Sequence, residues 1–264
     1  MSTRGALPRS GGESVVSRRM RKILIVGATS VIAEAVARRF AADGDAFFLV
    51  GRNATRLEAI GADLRIRGAP AVYTATLDVS DIGSQAAMLA KVEGAMGVPD
   101  IVLIAHGTLP DQRACEQSVT ATVSALNVNF TATLALLTLI ANRFETAGRG
   151  TIAVITSVAG DRGRRSNYLY GAAKGGVSIF LSGLRHRLQA RGVAVLDIRP
   201  GFVDTPMTSA FAKGTLWAKP DRVALDICHA IKRGAPVLYT PWFWRWIMQI
   251  VRILPLAVFH RTRL

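Results

Sequence analysis

Six short apolar runs, at 22–26, 45–50, 71–76, 100–105, 151–156 and 193–198, constrain the fold of this 264-residue chain more than any other feature. They are rich in β-branched residues and nearly free of charge, as strands buried on both faces are. A seventh, weaker run spans 236–240. Helical spacing fills the intervals at approximately 30–42, 53–67, 81–94, 116–146, 168–191 and 221–233. Strict alternation of strand and helix predicts a doubly wound parallel α/β sheet of about seven strands with helices on both faces. No repeat or linker divides 20–240, so one domain with a sizeable core is expected there.

Charge narrows the partners. Lys and Arg number 33 against 18 Asp and Glu, a net charge of +15, which favours nucleic acid, phosphates or an anionic membrane surface. No zinc-finger spacing, RNA-recognition signature or continuous basic helix accompanies it, which argues against nucleic acid. Cys115 and Cys228 offer neither a disulfide framework nor a metal cluster, and suit a reducing, cytoplasmic setting. Residues 1–19, rich in Ser, Gly and Arg, lack the apolar stretch of a signal peptide and are expected to be disordered. The folded region is expected to begin at Met20, an alternative start to Met1.

The tail 241–264 is unusual in carrying three tryptophans and a phenylalanine within its first six residues. Arg245, Gln249 and Arg252 make one polar stripe on a helix otherwise built of Trp, Ile and Leu. Its apolar run is too short to span a bilayer. The expectation is an amphipathic helix on the inner face of the cell membrane, anchored by tryptophans and by Arg261 and Arg263. A helix packed on the domain or on a second subunit is the alternative.

The first strand runs into Gly27-Ala-Thr29-Ser30-Val31-Ile32 and then a helix. A helix N-terminus after a tight turn offers unpaired N–H groups and a partial positive charge to a dinucleotide pyrophosphate. Thr29 and Ser30 add hydroxyls, although the G-x-G-x-x-G spacing is absent. At the end of the second strand an acid would read a ribose 2′-hydroxyl, whereas an arginine accommodates a 2′-phosphate. Gly51-Arg52-Asn53 has no acid, so Arg52 points to NADPH rather than NADH. Asp78, in Leu77-Asp78-Val79, is placed to hydrogen-bond adenine.

Tyr170 and Lys174, four apart on a helix, share one face. There an ammonium can favour the ionised form of a phenol. Ser157, thirteen residues earlier in an Ile-Thr-Ser-Val run, can hold a substrate oxygen where the tyrosine proton is delivered. The same pair in isolation is also an ordinary surface feature of many helices.

Taken together in chain order, the Gly27 turn, Asn129 in Asn127-Val-Asn129-Phe-Thr, Ser157, Tyr170-Gly-Ala-Ala-Lys174 and Pro200-Gly201-Phe-Val203-Asp-Thr205 resemble the short-chain dehydrogenase/reductase family from about 22 to 240. The resemblance implies a Rossmann-type fold and homo-oligomers. It implies Asn129, favoured by spacing over its rival Asn127, with Ser157, Tyr170 and Lys174 as the catalytic set, and Tyr170 the general acid for hydride transfer to a carbonyl. It further implies cofactor contacts from Gly27, Thr29, Ser30, Ile32, Arg52, Asp78, Val79, Ala105, Lys174, Pro200, Val203 and Thr205. Lys174 would hold the nicotinamide ribose, and Asn129 a water-linked proton path.

Two departures stand out. Val31 and Ala33 replace the second and third glycines of the family's turn, and Ala105-His106-Gly107 replaces its NNAG. His106 is expected to support the turn by packing, with a ligand-facing role the alternative. Within the family, the turn, Ile-Ala-His-Gly-Thr-Leu-Pro-Asp and the aromatic tail are most similar to decaprenylphosphoryl keto-pentose 2-reductases, which implies a polyprenyl-phosphate-linked keto sugar as substrate. Arg162, Arg164 and Arg165, between Ser157 and Tyr170, would then meet its phosphate, and 207–219 would form a lid. Ketoacyl, steroid or other apolar carbonyls are the alternative substrates, and a non-catalytic nucleotide-binding adaptor is the third reading.

Overall fold

The computed structural model describes residues 19–262. The expected N-terminal disorder, Arg19 apart, falls outside them, as does Arg263. Seven parallel strands make one sheet in the order β3-β2-β1-β4-β5-β6-β7. They are β1 (Lys22–Val26), β2 (Ala46–Gly51), β3 (Val72–Thr76), β4 (Ile101–Ile104), β5 (Gly150–Ile155), β6 (Val193–Pro200) and β7 (Val237–Thr240).

Alternation along each strand divides the core in two. Ile23 and Ile25 of β1 face one layer with Phe47, Leu49 and Ile198. Leu24 and Val26 face the other with Phe48, Val50 and Ile152. The first layer is covered by α1 (Val31–Ala42), α2 (Ala54–Ile66) and α8 (Pro220–Lys232), the second by α3 (Ile82–Met96), α6 (Ala132–Ala147) and α7 (Tyr168–Leu188). Strands that look apolar throughout do so because both their faces are buried.

One expected helix is broken into pieces. The stretch 116–146 comprises the end of α4 (Gln112–Gln117), α5 (Val119–Leu126), a π-turn at Asn127–Thr131, and α6. Ser118 ends α4 and, by accepting from the Ala121 N–H, caps α5. Ser and Thr at such a break compete with the helix for backbone bonds, which an apolar periodicity does not reveal.

The tail forms α9 (Trp244–Ile253) and α10 (Leu256–Phe259). The inner face of α9 packs on the domain, with Trp244, Met248 and Val251 buried beside Val158. The opposite face stays in solvent: Trp246 is 62% and Ile253 72% exposed, with Trp242, Ile250 and Leu256 beside them. The tail therefore packs on the domain, the alternative of the two sequence expectations, and leaves the opposite apolar face exposed.

Candidate active site

β1 pairs with both β2 and β4, and the sheet order reverses there. Ligand clefts in such sheets open at the carboxyl ends of the strands flanking that point. A cleft of about 790 Å³ lies there, lined by Arg52 after β2, the Gly27 turn after β1, Ala105–Leu109 after β4, Ser157 after β5 and Pro200–Val203 after β6. The sheet order itself lays these segments side by side.

The Ser157 Oγ accepts from the Ala159 N–H at 3.1 Å and opens a 3₁₀ turn, Val158–Asp161. This turn lies directly on α7. An added Cβ at Gly160 would fall 2.6 Å from the Gly175 N, and one at Gly171 2.7 Å from the Ala159 O. Glycine lets turn and helix touch backbone to backbone, and that contact sets Ser157 against Tyr170 and Lys174. Lys174 Nζ donates to the Ile155 O at 3.1 Å and lies 5.7 Å from the centre of the Tyr170 ring.

Asn129 occupies the π-turn, an irregularity that often marks functional sites. Its Oδ1 accepts from the Thr108 N–H and its Nδ2 donates to the Ala125 O, both at 3.0 Å. A Cβ at Gly107 would meet Asn129 Oδ1 at 3.0 Å and Lys174 Nζ at 3.2 Å, so amide and ammonium share one recess. Asn127 is bound elsewhere, donating to the Ser80 O at 3.4 Å.

Burial pushes the Tyr170 phenol up to about 12, with the Ser157 hydroxyl working against it. Burial likewise draws Lys174 down to about 8, offset in part by Asp197. In the chain by itself, the phenol's shift is set by loss of water and by the Ser157 hydroxyl, not by Lys174. A phenol that keeps its proton is the form a general acid requires. His106 packs against α6, its Nε2 3.0 Å from the Thr133 Oγ1, yet also lines the cleft, and burial, then Lys174, hold it neutral at about 3.

The other half of the cleft fits a dinucleotide. Gly27 has φ 84°, and a Cβ there would fall 2.5 Å from the His106 N. Ser30 makes no side-chain cap on α1, so the first-turn N–H groups remain for an anion. Thr29, Ser30, Val31 and Ile32 line the cleft, while Ala33 is fully buried under it. Arg52 forms no ion pair among the described residues, whereas Arg56 is taken by Glu34 at 3.0 Å. Bonds from the Ser80 hydroxyl and N–H keep the Asp78 carboxyl below its usual range, with Val79 buried next to it. Pro200, Val203 and Thr205 complete the lining, and the Thr205 N–H donates to Thr208 Oγ1 at 3.2 Å. Met207 and Phe211, from the expected lid, also face the cleft.

The three loop arginines part company. Only Arg164 reaches the cleft. Arg162 donates to the Val251 and Leu254 carbonyls, the latter at 2.7 Å, and lies 3.9 Å from the centre of the Phe259 ring. It caps the C-terminus of α9, where unpaired carbonyls attract a cation. Arg165 is exposed and is not part of the lining. Neighbouring Asp161 accepts from Arg199 and from the Tyr239 hydroxyl, both at 2.8 Å, and so ties the loop to β6 and β7.

The sequence profile described as short chain dehydrogenase matches residues 21–215. An uncharacterised oxidoreductase of Mycobacterium tuberculosis is 38% identical over 90% of this chain and 96% of its own. One from Streptomyces coelicolor is 34% identical over 91% and 95%. Among solved structures, an alcohol dehydrogenase of Thermococcus sibiricus, complexed with 5-hydroxy-NADP, is similar with a TM-score of 0.75 and 26% identity, covering 84% of this chain and 96% of that one. The actinorhodin polyketide ketoreductase with NADPH has a TM-score of 0.76 at 24% identity, over 85% and 97%, a likeness of fold.

Proposed function

This chain belongs to the short-chain dehydrogenase family of oxidoreductases, and we propose that it is an NADPH-dependent carbonyl reductase. The observation that carries the reading is the placement of Tyr170 beside Ser157 and Lys174 in a cleft whose other half suits a dinucleotide. The dinucleotide, when bound, supplies the hydride. Ser157 holds the carbonyl oxygen, and Tyr170 gives it the proton that the developing alkoxide needs. Lys174 holds the nicotinamide ribose, and Asn129 keeps the Lys174 side of the cleft open to a proton path. NADPH consumption across a panel of ketones tests this, and absence of turnover with every class would refute it.

A lipid-linked keto sugar, of the polyprenyl-phosphate kind, is the substrate class we favour, acted on at the inner surface of the cytoplasmic membrane. Support comes from the uncovered face of α9, where Trp246, Ile250 and Ile253 are exposed beside Arg245 and Arg252. Apolar side chains flanked by cations complement an anionic bilayer. Because Trp244 and Met248 belong to the core, deleting the tail would unfold its site. The substitution Trp242→Ser, Trp246→Ser, Ile250→Ser is the sound test. It should abolish co-sedimentation with phosphatidylglycerol vesicles that the wild type shows; no sedimentation of the wild type refutes membrane docking. Phe202, Met207 and Phe211 around the cleft also favour apolar ketones such as ketoacyl or steroid substrates, the second reading. Val123 of α5 and Ile179 of α7 are 59% and 77% exposed, which supports pairing of these helices in a homo-oligomer. Sedimentation velocity of Val123→Glu should show smaller particles than the wild type.

A further inference from the structure

The arginine of the loop after Ser157 that faces the cleft makes no ion pair among the described residues. Arg164 is half-buried, and burial pulls its guanidinium below the usual value, with Asp161 working against it. Its Nε is buried without a hydrogen-bond partner, and its Nη2 donates only to the Met248 Sδ, at 3.3 Å. No carboxylate of the described residues lies within ion-pair distance. The nearest acid in the loop, Asp161, is occupied by Arg199 and Tyr239. Its neighbour Arg162 is spent on the end of α9. A guanidinium partly withdrawn from water gains from meeting an anion, and its planar donor fork matches a phosphate or carboxylate. Arg164 shares the cleft with Ser157, Tyr170 and Asn167.

We propose that Arg164 is the anchor for an anionic group, phosphate ester or carboxylate, carried by the substrate itself. The proposal rests on the reductase reading for its ketone but not for its anion site. The fork of Arg164 takes the anion's oxygens, leaving the carbonyl at Ser157 and Tyr170, so the residue selects substrates by the charge they carry beside the ketone.

Calorimetric titration of the full chain, saturated with NADP⁺ so that the dinucleotide's own anion positions are filled, tests this. The probes are hexyl phosphate, hexanoate and neutral hexanol. Hexyl phosphate should bind the wild type well above hexanol and weaken at least about tenfold in Arg164→Met. Arg164→Lys should fall between, having the charge without the fork; it carries the test if Arg164→Met fails to fold. Hexanoate binding as tightly as hexyl phosphate identifies a carboxylate site, and weaker binding a phosphate site. Equal hexyl phosphate affinity in wild type and Arg164→Met, or none in either, overturns the proposal. A second readout compares a ketone carrying a carboxylate with its methyl ester. The ratio of kcat/KM for the two should drop at least about tenfold in Arg164→Met, and an unchanged ratio contradicts the assignment. If the wild type reduces neither these two nor any ketone of the panel, the reductase reading fails, while the titration still decides the anion site.

Discussion

The Trp244 indole lies against Gly201 with no room for a side chain between them: a Cβ at Gly201 would fall 2.0 Å from the ring. The C-terminal helix thus rests on the segment that carries β6 into the cleft. Phe202, next along, meets the same indole edge-on at 5.4 Å between ring centres. Gly201→Ala should destabilise the protein by about 1–3 kcal/mol through overpacking. Urea denaturation should show it, and adding Trp244→Leu should recover much of the loss. Unchanged stability of Gly201→Ala would show that the helix is not held there.

Cofactor choice should turn on Arg52. It has no ion-pair partner among the described residues, and no acid stands at the end of β2 to receive a ribose 2′-hydroxyl. Arg52→Asp should raise KM for NADPH by about tenfold or more and lower that for NADH. Initial rates with both dinucleotides check this, and an unaltered preference would place the 2′-phosphate elsewhere.

Lys174 should leave a signature in the pH dependence of stability of the unliganded protein. Its pKa falls from 10.5 in the unfolded chain to about 8 on folding. Between these values the unfolded state binds more protons, so stability attributable to this group rises with pH. Lys174→Met removes the effect. Relative to wild type, the variant's stability advantage should shrink by roughly 2 kcal/mol between pH 7 and pH 10. Denaturation at several pH values measures it. The window stops at pH 10 because the phenol of Tyr170, raised to about 12, works in the opposite direction above that.

The sheet was legible because its strands are buried on both faces, which leaves runs such as Ile23–Val26 without polar interruption. Ser157, Tyr170 and Lys174 were legible because a shared helical face fixes where the last two stand. What brings them together was not: Gly160, Gly171 and Gly175 read as small residues until the turn is seen lying on α7. The crowding of the last two in Gly171-Ala-Ala-Lys-Gly175-Gly was the available signal. The loop arginines looked alike, since no local pattern announces that the end of α9 comes back to Arg162. The break at Ser118 and the π-turn at Asn129 were hidden for the same reason, apolar spacing being continuous across them. The phenol's raised pKa followed from burial, a tertiary property that pairing along one helix does not report.

The most direct test is NADPH oxidation with a ketone that the wild type reduces, measured for Tyr170→Phe alongside NADPH binding by fluorescence. Loss of the general acid should lower kcat by at least about a hundredfold while cofactor affinity stays within about threefold of wild type. Full activity in Tyr170→Phe would contradict the account, because the proton would then come from somewhere other than the phenol.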